Sequence, residues 1–351
     1  MSLRTLINPL AQPVISTADR IRDRCWNREP VAAVAINRRP ARGPWGGGNQ
    51  WLDQIVRSLR QHGYSVRFDL NARVDCILMA DPRSGPTVTF DAEAIEAYKS
   101  THADVVCVHR VNDNDKHRGS KDRDAFQAEG NRVSDHTVFV SAWLLDYEGA
   151  RWFDTARPHS VIVNGADTRT FHPFGGAPLT SDEPMRLVTH HWSDNWSKGF
   201  AVYAEIDRLI SEGELPNVEL WVIGRWPSEI RWRSARTFPP MGGAALGRLL
   251  RRCHVYVTAS RWESGPMHFI EGIQCGLPVL YQADGGGIIE GARRFGICFR
   301  GDVQHAILEM RTRYPQWRQA VLADPPSGDR MCFEYRTLIQ QLIVNRQGTE
   351  T

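Results

Sequence analysis

Short apolar segments alternate with helical segments along most of the chain, and this alternation constrains the fold more than any other feature. Residues 31–36 (VAAVAI) read as a buried strand. Apolar residues at helical spacing follow from Trp51 to Leu59, and Gly63 ends that helix. Short apolar strands separated by helices are typical of parallel sheets covered on both faces. We therefore predict an α/β protein made of doubly wound, Rossmann-like units.

The alternation occurs twice. The predicted strands of the first half are residues 31–36, 65–70, 75–79, 105–109, 137–140 and 160–163, and those of the second half are residues 185–189, 218–223, 254–258, 279–281 and 297–299. Residues 168–184 are rich in Pro and Gly and lack periodicity, so we place a domain boundary there. The sequence predicts an N-terminal domain over residues 1–175, a C-terminal domain over residues 176–330, and a central cleft between them.

Composition and charge exclude several classes of protein. The chain has 351 residues and a formal charge of only +3, and it has no basic stripe with interleaved aromatics that would indicate nucleic acid. Its seven cysteines include no C-x-x-C pair, which is typical of free thiols in a reducing compartment. No segment approaches the roughly 20 apolar residues of a membrane span, and the N-terminus has no signal-peptide core. We expect a cytoplasmic protein, and peripheral contact with the inner face of a membrane stays open.

The strongest candidate site is the junction between a strand and a helix at residues 259–275 (ASRWESGPMHFIEGIQC). Open parallel sheets bind ligands beyond the carboxyl ends of their strands, where helix N-termini offer N–H groups to anions. Gly265 permits a close backbone approach, and Glu263 and Glu271 lie eight positions apart. Spacing alone leaves two interpretations open, a sugar-diphosphate site or an ordinary helix start with two solvated glutamates.

The region 249–290 resembles the donor-binding region of GT-B glycosyltransferases of the GT4 type. Glu263 and Glu271 match that family's Glu-x7-Glu pattern, residues 276–279 match its Gly-x-Pro-Val, and Glu290 ends a Gly-Gly-x-x-Glu segment. Further family traits are a Gly-rich loop after the first strand, FVSAWL at residues 139–144, VNGAD and FHP within residues 163–173, and KGF at residues 198–200. The resemblance spans residues 31–300 and implies a GT-B fold.

The resemblance also implies roles for the matching residues. Glu263 would bind the transferred sugar, Glu271 the nucleotide ribose and Lys198 the diphosphate. Together with the position of each residue in the sequence, the resemblance gives three predicted groups. The predicted catalytic residues are Glu263, Lys198 and His109; the predicted donor-binding residues are Glu271, Gly265, Pro266, Met267, Arg225, Gly47 and Gly48; and the predicted acceptor-side residues are Asn49, Arg110 and Asp113. Glu290 either joins the donor site or caps its own helix. Residues 331–351 are implied to pack back on the first domain.

The chain departs from the family at the loop before Lys198, where the family usually carries Gly-Arg-Leu. Here the residues are His190, His191 and Trp192. Arg225 is a candidate for the missing cation, hydrogen-bond donors in the loop are another solution, and whether His190 or His191 replaces the arginine stays open. Of Trp192, Trp196, Trp226 and Trp262, at most one is expected to stack on the base or sugar.

The charged segment after His109 contains Asp113-x-Asp115, which is similar to the metal-binding pair of the other glycosyltransferase fold, GT-A. An EF-hand loop does not fit, because its fifth position is His117. We expect acceptor recognition or a solvated loop here, and neither a metal nor a cofactor.

Together these features predict a retaining glycosyltransferase that moves a sugar from a nucleotide-diphosphate sugar to a hydroxyl of a glycan, a lipid-linked acceptor or a small molecule. Two alternatives stay open. One is a nucleotide-sugar epimerase or hydrolase of the same fold, and the other is a degenerate protein that binds a nucleotide-sugar or glycan without turnover.

Overall fold

Two parallel six-stranded sheets form the framework of this computed structural model, which describes residues 30–41, 46–176 and 178–348. The first sheet contains β1 (Ala33–Ile36), β2 (Ser65–Arg67), β3 (Cys76–Met79), β4 (Val106–Val111), β5 (His136–Phe139) and β6 (His159–Val161). The second contains β7 (Met185–His191), β8 (Val218–Gly224), β9 (Arg236–Phe238), β10 (Val255–Thr258), β11 (Val279–Gln282) and β12 (Gly296–Phe299). The strand orders are β2-β1-β3-β4-β5-β6 and β12-β11-β10-β7-β8-β9, and the pairings are parallel.

Helices flank both sheets. Those of the first half are α1 (Gly47–Gln61), α2 (Ala92–Thr101), α3 (Asp115–Arg118), α4 (Arg123–Asn131) and α5 (Ala142–Gly149). Those of the second half are α6 (Phe200–Ser211), α7 (Gly243–Leu250), α8 (His268–Gln274), α9 (Gly287–Ala292), α10 (Val303–Ala323) and α11 (Gly328–Gly348), with a 3-10 turn at Trp196–Lys198 before α6. This order confirms the predicted doubly wound α/β architecture.

The apolar face of α1 shows how the sequence drives this packing. Trp51, Leu52, Ile55 and Leu59 recur at helical spacing, and each is at most 1% exposed against the first sheet. Each such burial stabilises the fold by about 1.5–3 kcal/mol. Gly63 follows the helix with φ +84°, a conformation that favours glycine.

The terminal helix α11 packs on the first sheet, although it follows the second sheet in sequence. Met331, Tyr335 and Ile339 are buried in the same core as Trp51, and the Trp51 and Tyr335 rings meet edge to face at 5.5 Å. Because this aromatic pair joins α11 to α1, a helix from the C-terminal part of the chain completes the core of the first half.

The two chain segments that connect the halves run side by side. The N–H of Gly328 donates to the carbonyl of Ala166 at 2.7 Å. A Cβ at Gly165 would lie 2.0 Å from the carbonyl oxygen of Ser327, so the crossing requires glycine there. Any movement of one half against the other must therefore bend this paired crossing.

Several elements differ from the predicted pattern. The strand β9 and the helix α9 were not predicted, because β9 is a three-residue edge strand and α9 starts with glycine. The last strand of the first half ends earlier than predicted, at Val161. Helix α10 continues through Pro315 to Ala323, although proline disfavours the interior of a helix. Proline costs about 3 kcal/mol inside a helix, and burial of Tyr314 and Val321 on either side of it offsets that cost.

Other sequence expectations concern the whole chain. None of the described helices is long and apolar enough to cross a membrane. The six described cysteines are free thiols. Cys25, the N-terminal segment examined for a signal peptide and residues 43–45 of the Gly-rich loop lie outside the described residues.

Candidate active site

A cavity of about 230 Å³ lies between the two halves, at the carboxyl ends of both sheets. The first half contributes the start of α1 and the loop after β4, and the second half contributes the loop after β7 and the turn after β10. The predicted residues that line it are Gly47, Gly48, Arg110, Asp113, Lys198, Glu263, Gly265, Pro266, Met267 and Glu271. The structure therefore brings together most of the residues that the sequence singled out, from positions more than 200 residues apart.

Lys198 and Glu263 form a buried ion pair in this cavity. The Lys198 Nζ lies 2.6 Å from the Glu263 Oε1, and the Glu263 side chain is 8% exposed. Burial alone would raise the pKa of Glu263, but His117 and Lys198 outweigh burial and hold that pKa well below its ordinary value. The carboxylate is therefore ionised and the ammonium is paired in the ligand-free protein.

His117 reaches this pair from the facing half of the molecule. Its Nε2 lies 3.3 Å from the Lys198 Nζ and 3.5 Å from the Glu263 Oε2. Its Nδ1 lies 2.9 Å from the carbonyl oxygen of Arg261, which can only accept, so Nδ1 carries a proton. The sequence analysis missed His117 as a site residue, because its only signal was its place in the charged segment after β4.

The turn that presents Glu263 is strained and pinned on both sides. Trp262 has φ +55°, a left-handed conformation that is uncommon outside glycine. The N–H of Gly287 donates to the Glu263 carbonyl at 2.7 Å, and the Asn114 side chain donates to the Ser264 Oγ at 2.7 Å. Because Asn114 belongs to the first half, the shape of this turn depends on contact between the halves.

Glu271 is held by a hydrogen-bond relay inside the second half. The His190 Nε2 lies 2.8 Å from the Glu271 Oε2, and the His190 Nδ1 lies 3.1 Å from the Tyr256 hydroxyl. That hydroxyl also accepts the His190 N–H at 3.2 Å, so its own proton is free for Nδ1 and the imidazole donates from Nε2 to Glu271. The other oxygen, Oε1, is buried without a hydrogen-bond partner among the described residues.

His191 does not supply a cation in place of the arginine. Its Nε2 lies 2.9 Å from the Thr189 Oγ1 and 3.0 Å from the Tyr203 hydroxyl. Burial, together with the neighbouring His268 and Lys198, holds the pKa of His191 well below its ordinary value, so the ring is neutral at pH 7. The His191 imidazole therefore has a structural role at the end of β7, beneath the loop that leads to Lys198.

Arg225 was also predicted near the phosphates, and the structure places it elsewhere. Its side chain is exposed and donates to the Trp192 carbonyl at 3.0 Å, and it does not line the cavity. Arg225 thus supports the backbone of the loop before Lys198 from outside. The expectation that it faces the donor is wrong, because its guanidinium bonds the Trp192 carbonyl instead of entering the cavity.

His109 was predicted to face the cleft, and this too is wrong. Side chains alternate along a strand, so His109 and Arg110 point to opposite faces of β4. His109 is fully buried beside Asn131 of α4, with its Nδ1 3.0 Å from the Asn131 Nδ2. Burial lowers the pKa of His109 to about 4, so it is a neutral core residue, and His117 occupies the place in the cleft.

Three polar residues of the first half have partners of their own. The Asn49 side chain bonds both backbone groups of Ala41. Asp113 pairs with the Arg118 Nε at 2.8 Å at the edge of the cavity, while Asp115 accepts from the loop that follows it. Among the residues that the structure describes, no group of three or more His, Cys, Asp or Glu side chains is arranged to hold a metal ion.

Glu290 does not cap its own helix. Its carboxylate accepts from the N–H of Ala142 at 2.8 Å and of Trp143 at 3.3 Å, at the start of α5 in the facing half. Burial raises the pKa of Glu290, and the two backbone hydrogen bonds oppose that rise. Glu290 therefore links the two halves through these two hydrogen bonds, and we call this contact the clasp.

A larger cavity of about 510 Å³ adjoins the first one. Gln50 and Trp192 line both, and Asn49, Met241 and Gly242 form further walls of the larger one. A bound molecule can therefore extend from the Lys198–Glu263 pair past Trp192 without leaving the space between the halves.

Trp192 differs from the other three tryptophans that were predicted near the donor. Trp196 is 51% exposed, Trp226 packs on Trp232, and Trp262 lies in the strained turn. Trp192 alone of the four lines the cavities.

Comparison with known proteins gives a clear result for the fold. No family model matches the chain, and no curated protein matches it. Among solved structures, sucrose-phosphate synthase from Thermosynechococcus elongatus superposes with a TM-score of 0.64 at 17% identity, covering 91% of this chain and all of that one. This chain has the GT-B fold.

Further GT-B structures agree over similar lengths. A glycosyltransferase from Rickettsia africae ESF-5 gives a TM-score of 0.62 at 12% identity and covers 91% of this chain and 99% of that one. Anabaena HepE in complex with UDP gives a TM-score of 0.61 at 13% identity and covers 88% and 99%. At these identities the likeness establishes the GT-B fold, with its two Rossmann-like halves and the cleft between them.

Proposed function

We propose that this GT-B protein is a retaining glycosyltransferase of the GT4 type, which transfers a sugar from a nucleotide-diphosphate sugar to a hydroxyl acceptor. The observation that carries the proposal is the buried Lys198–Glu263 pair at the floor of the interdomain cleft, completed by His117 from the facing half. An ammonium and a carboxylate held side by side suit a donor that presents phosphate oxygens next to sugar hydroxyls.

The donor has a natural orientation in the two cavities. The buried Glu271 Oε1 lacks a partner among the described residues and can accept from a ribose hydroxyl. The nucleoside would then occupy the larger cavity beside Trp192, whose ring offers a stacking surface. The transferred sugar would occupy the smaller cavity, where Glu263 accepts its hydroxyl protons.

Lys198 would stabilise the leaving group. In a same-face displacement the bond between the anomeric carbon and the diphosphate oxygen breaks, and the acceptor oxygen bonds to the anomeric carbon on the same side. The acceptor proton moves to the departing phosphate oxygen, so the protein need not supply a base. The ammonium of Lys198 and the N–H groups of Gly265 and Met267 would meet the developing charge, whereas Pro266 has no N–H to offer.

UDP-sugars are the first donors to test, because the structural neighbour HepE forms complexes with UDP and with UDP-glucose. We propose that no metal is required, so a chelator should leave turnover unchanged. The acceptor hydroxyl would approach from the side of the first half, where Arg110 and Asp113 line the cavity.

The direct test is a thermal-shift screen of UDP-, GDP-, ADP- and dTDP-sugars, followed by product analysis with the donor that binds. A ligand at a hundredfold excess over its Kd stabilises the folded state by about 2.7 kcal/mol. Transfer to an added hydroxyl acceptor with retained anomeric configuration supports the proposal. Free or epimerised sugar without acceptor would favour the epimerase or hydrolase instead, and tight binding without turnover across an acceptor panel would favour the degenerate binder.

A further inference from the structure

We propose that Arg110 and the N-terminus of α1 form a site for a negatively charged group, a phosphate or a carboxylate, carried by the acceptor. This inference rests on the proposed glycosyltransferase function and narrows its acceptor to an anionic class. It starts from a feature that the proposed donor chemistry does not use, a buried cation without an anionic partner.

Arg110 is 1% exposed and lies one residue before the carboxyl end of β4, where the strand reaches the cleft. Its guanidinium lies 4.1 Å from the centre of the Trp51 ring, and its Nη2 donates to the Asn164 Oδ1 at 3.0 Å. Its Nε is buried and has no partner among the described residues. The titratable groups that act on it most strongly are Tyr335 and Arg38, and neither is a carboxylate.

A buried arginine without a counter-charge lowers the stability of the folded protein. Arginine stays protonated in proteins, and a buried charge without an opposite charge destabilises a fold by several kcal/mol. The Trp51 ring covers one face of the guanidinium, while the cavity is open to the side chain. The ligand-free protein therefore holds a cation whose partner has to come from the cavity.

The start of α1 provides a second and independent feature on the same wall. This helix has 15 residues, its N-cap is Gly46 without a side-chain cap, and its first turn holds no acidic residue. Gly46, Gly47 and Gly48 line the same cavity as Arg110. The first-turn N–H groups, which have no acceptor within the helix, and the positive end of the helix dipole therefore favour an anion there.

The position of this site assigns the anion to the acceptor. Arg110 belongs to β4 and the glycines to the start of α1, both in the first half, whereas Lys198, Glu263 and Glu271 belong to the second half. Gly47 and Gly48 are therefore assigned to the acceptor here, in place of the donor role expected from the sequence. Asn164 separates the two walls, since its Oδ1 accepts from Arg110 while its Nδ2 donates to the Gly265 carbonyl. A donor diphosphate at Lys198 would thus leave Arg110 for the second substrate.

The test compares the full-length protein with Arg110→Gln and Arg110→Lys, using Arg57→Gln as the matched control. Arg57 lies on α1 and is already paired with Asp53 and Asp167. Calorimetry measures binding of UDP alone and then, with UDP at saturation so that the Lys198 site is occupied, of inorganic phosphate and of glucose 6-phosphate against glucose. Thermal unfolding of each variant without ligand reports the cost of the buried charge.

We expect phosphate and glucose 6-phosphate to bind at least about tenfold more weakly to Arg110→Gln, an intermediate loss for Arg110→Lys, and no change for Arg57→Gln. We expect UDP affinity to stay within about twofold, and Arg110→Gln to be no less thermally stable than the unaltered protein without ligand. If Arg110→Gln loses as much UDP affinity as phosphate affinity, Arg110 belongs to the donor diphosphate. If phosphate binds equally well to Arg110→Gln and to the unaltered protein, the proposed anion site is wrong. If UDP fails to bind any form while the phosphate difference persists, UDP is not the donor nucleotide and the anion site stands.

Discussion

The imidazole of His190 donates from Nε2 to the Glu271 Oε2 at 2.8 Å, deep in the second half and 81 positions away in sequence. The Tyr256 hydroxyl at the opposite ring nitrogen fixes which tautomer is present. One oxygen of Glu271 is thereby satisfied, and the other is left for a ligand. His190, at the end of β7, is thus a positioning residue for the glutamate proposed to bind the ribose.

Replacing His190 tests this device. In His190→Leu the buried Glu271 loses its donor, and we expect UDP affinity measured by calorimetry to fall about tenfold or more, because a buried carboxylate left unpaired costs at least 1–3 kcal/mol. His190→Gln keeps a donor and should lose less. Tyr256→Phe removes the hydroxyl that sets the His190 tautomer and should also lower UDP affinity, whereas the exposed Glu129→Gln is the control and should leave it unchanged. Unchanged UDP affinity in His190→Leu would remove the positioning role.

His117 should matter for turnover more than for donor binding. It contacts Lys198 and Glu263 from the facing half and helps to position them, so we expect His117→Ala to lower kcat by roughly 10²-fold while UDP affinity changes little. His62→Ala, at the exposed end of α1, is the control. A variant with full kcat would show that His117 is only part of the domain contact.

Glu290 should control how readily the halves close. Its carboxylate caps α5 across the cleft, and loss of such a cap costs about 0.5–2 kcal/mol. We predict that Glu290→Gln raises KM for the donor several-fold and gives a larger radius of gyration in small-angle scattering. The exposed Glu129→Gln should change neither quantity, and a Glu290→Gln protein as compact as the unaltered one would contradict the clasp.

Stability should depend on pH through Glu148. This residue is fully buried, its Oε2 accepts from the Trp152 indole at 2.6 Å, and burial together with nearby Asp124 raises its pKa to about 8 from an ordinary 4.5. The folded state therefore holds a proton that the unfolded state releases between these values, so stability falls as pH rises through that window. Glu148→Gln should match the unaltered protein near pH 4.5 and exceed it by a few kcal/mol at pH 8. Equal unfolding curves at pH 8 would refute this, and Glu309→Gln on the surface of α10 serves as the control.

Much of the framework follows from local signals. The sequence alone predicts apolar strands such as β8 and β10 and the periodic face of α1. Each of these elements buries its apolar side chains whatever element packs against it. The edge strand β9 gives no such signal, since it has three residues and is paired on one side only. Helix α10 overrides its proline because tertiary burial decides its length.

The residues of the candidate site also fall into those that the sequence could predict and those that it could not. Glu263, Glu271 and Lys198 could be predicted because they sit at junctions between strands and helices and match the motifs that resemble the GT4 type. His117 could not, since its partners lie in the other half, 81 and 146 positions away. His109 and Arg110 show the limit most clearly: one residue of difference in strand register decides which of them faces the cleft, and sequence alone did not fix it.

The measurement that tests the central claim most directly is transfer by Lys198→Met and Glu263→Gln with the donor that binds. Removing one partner of a buried pair destabilises the fold by about 3–5 kcal/mol, so the double variant, which leaves no unpaired charge, is measured beside them and thermal unfolding checks that each is folded. The account predicts that all three still bind that donor at high concentration and lose at least about 10²-fold in turnover. Turnover near that of the unaltered protein in a folded variant would contradict it.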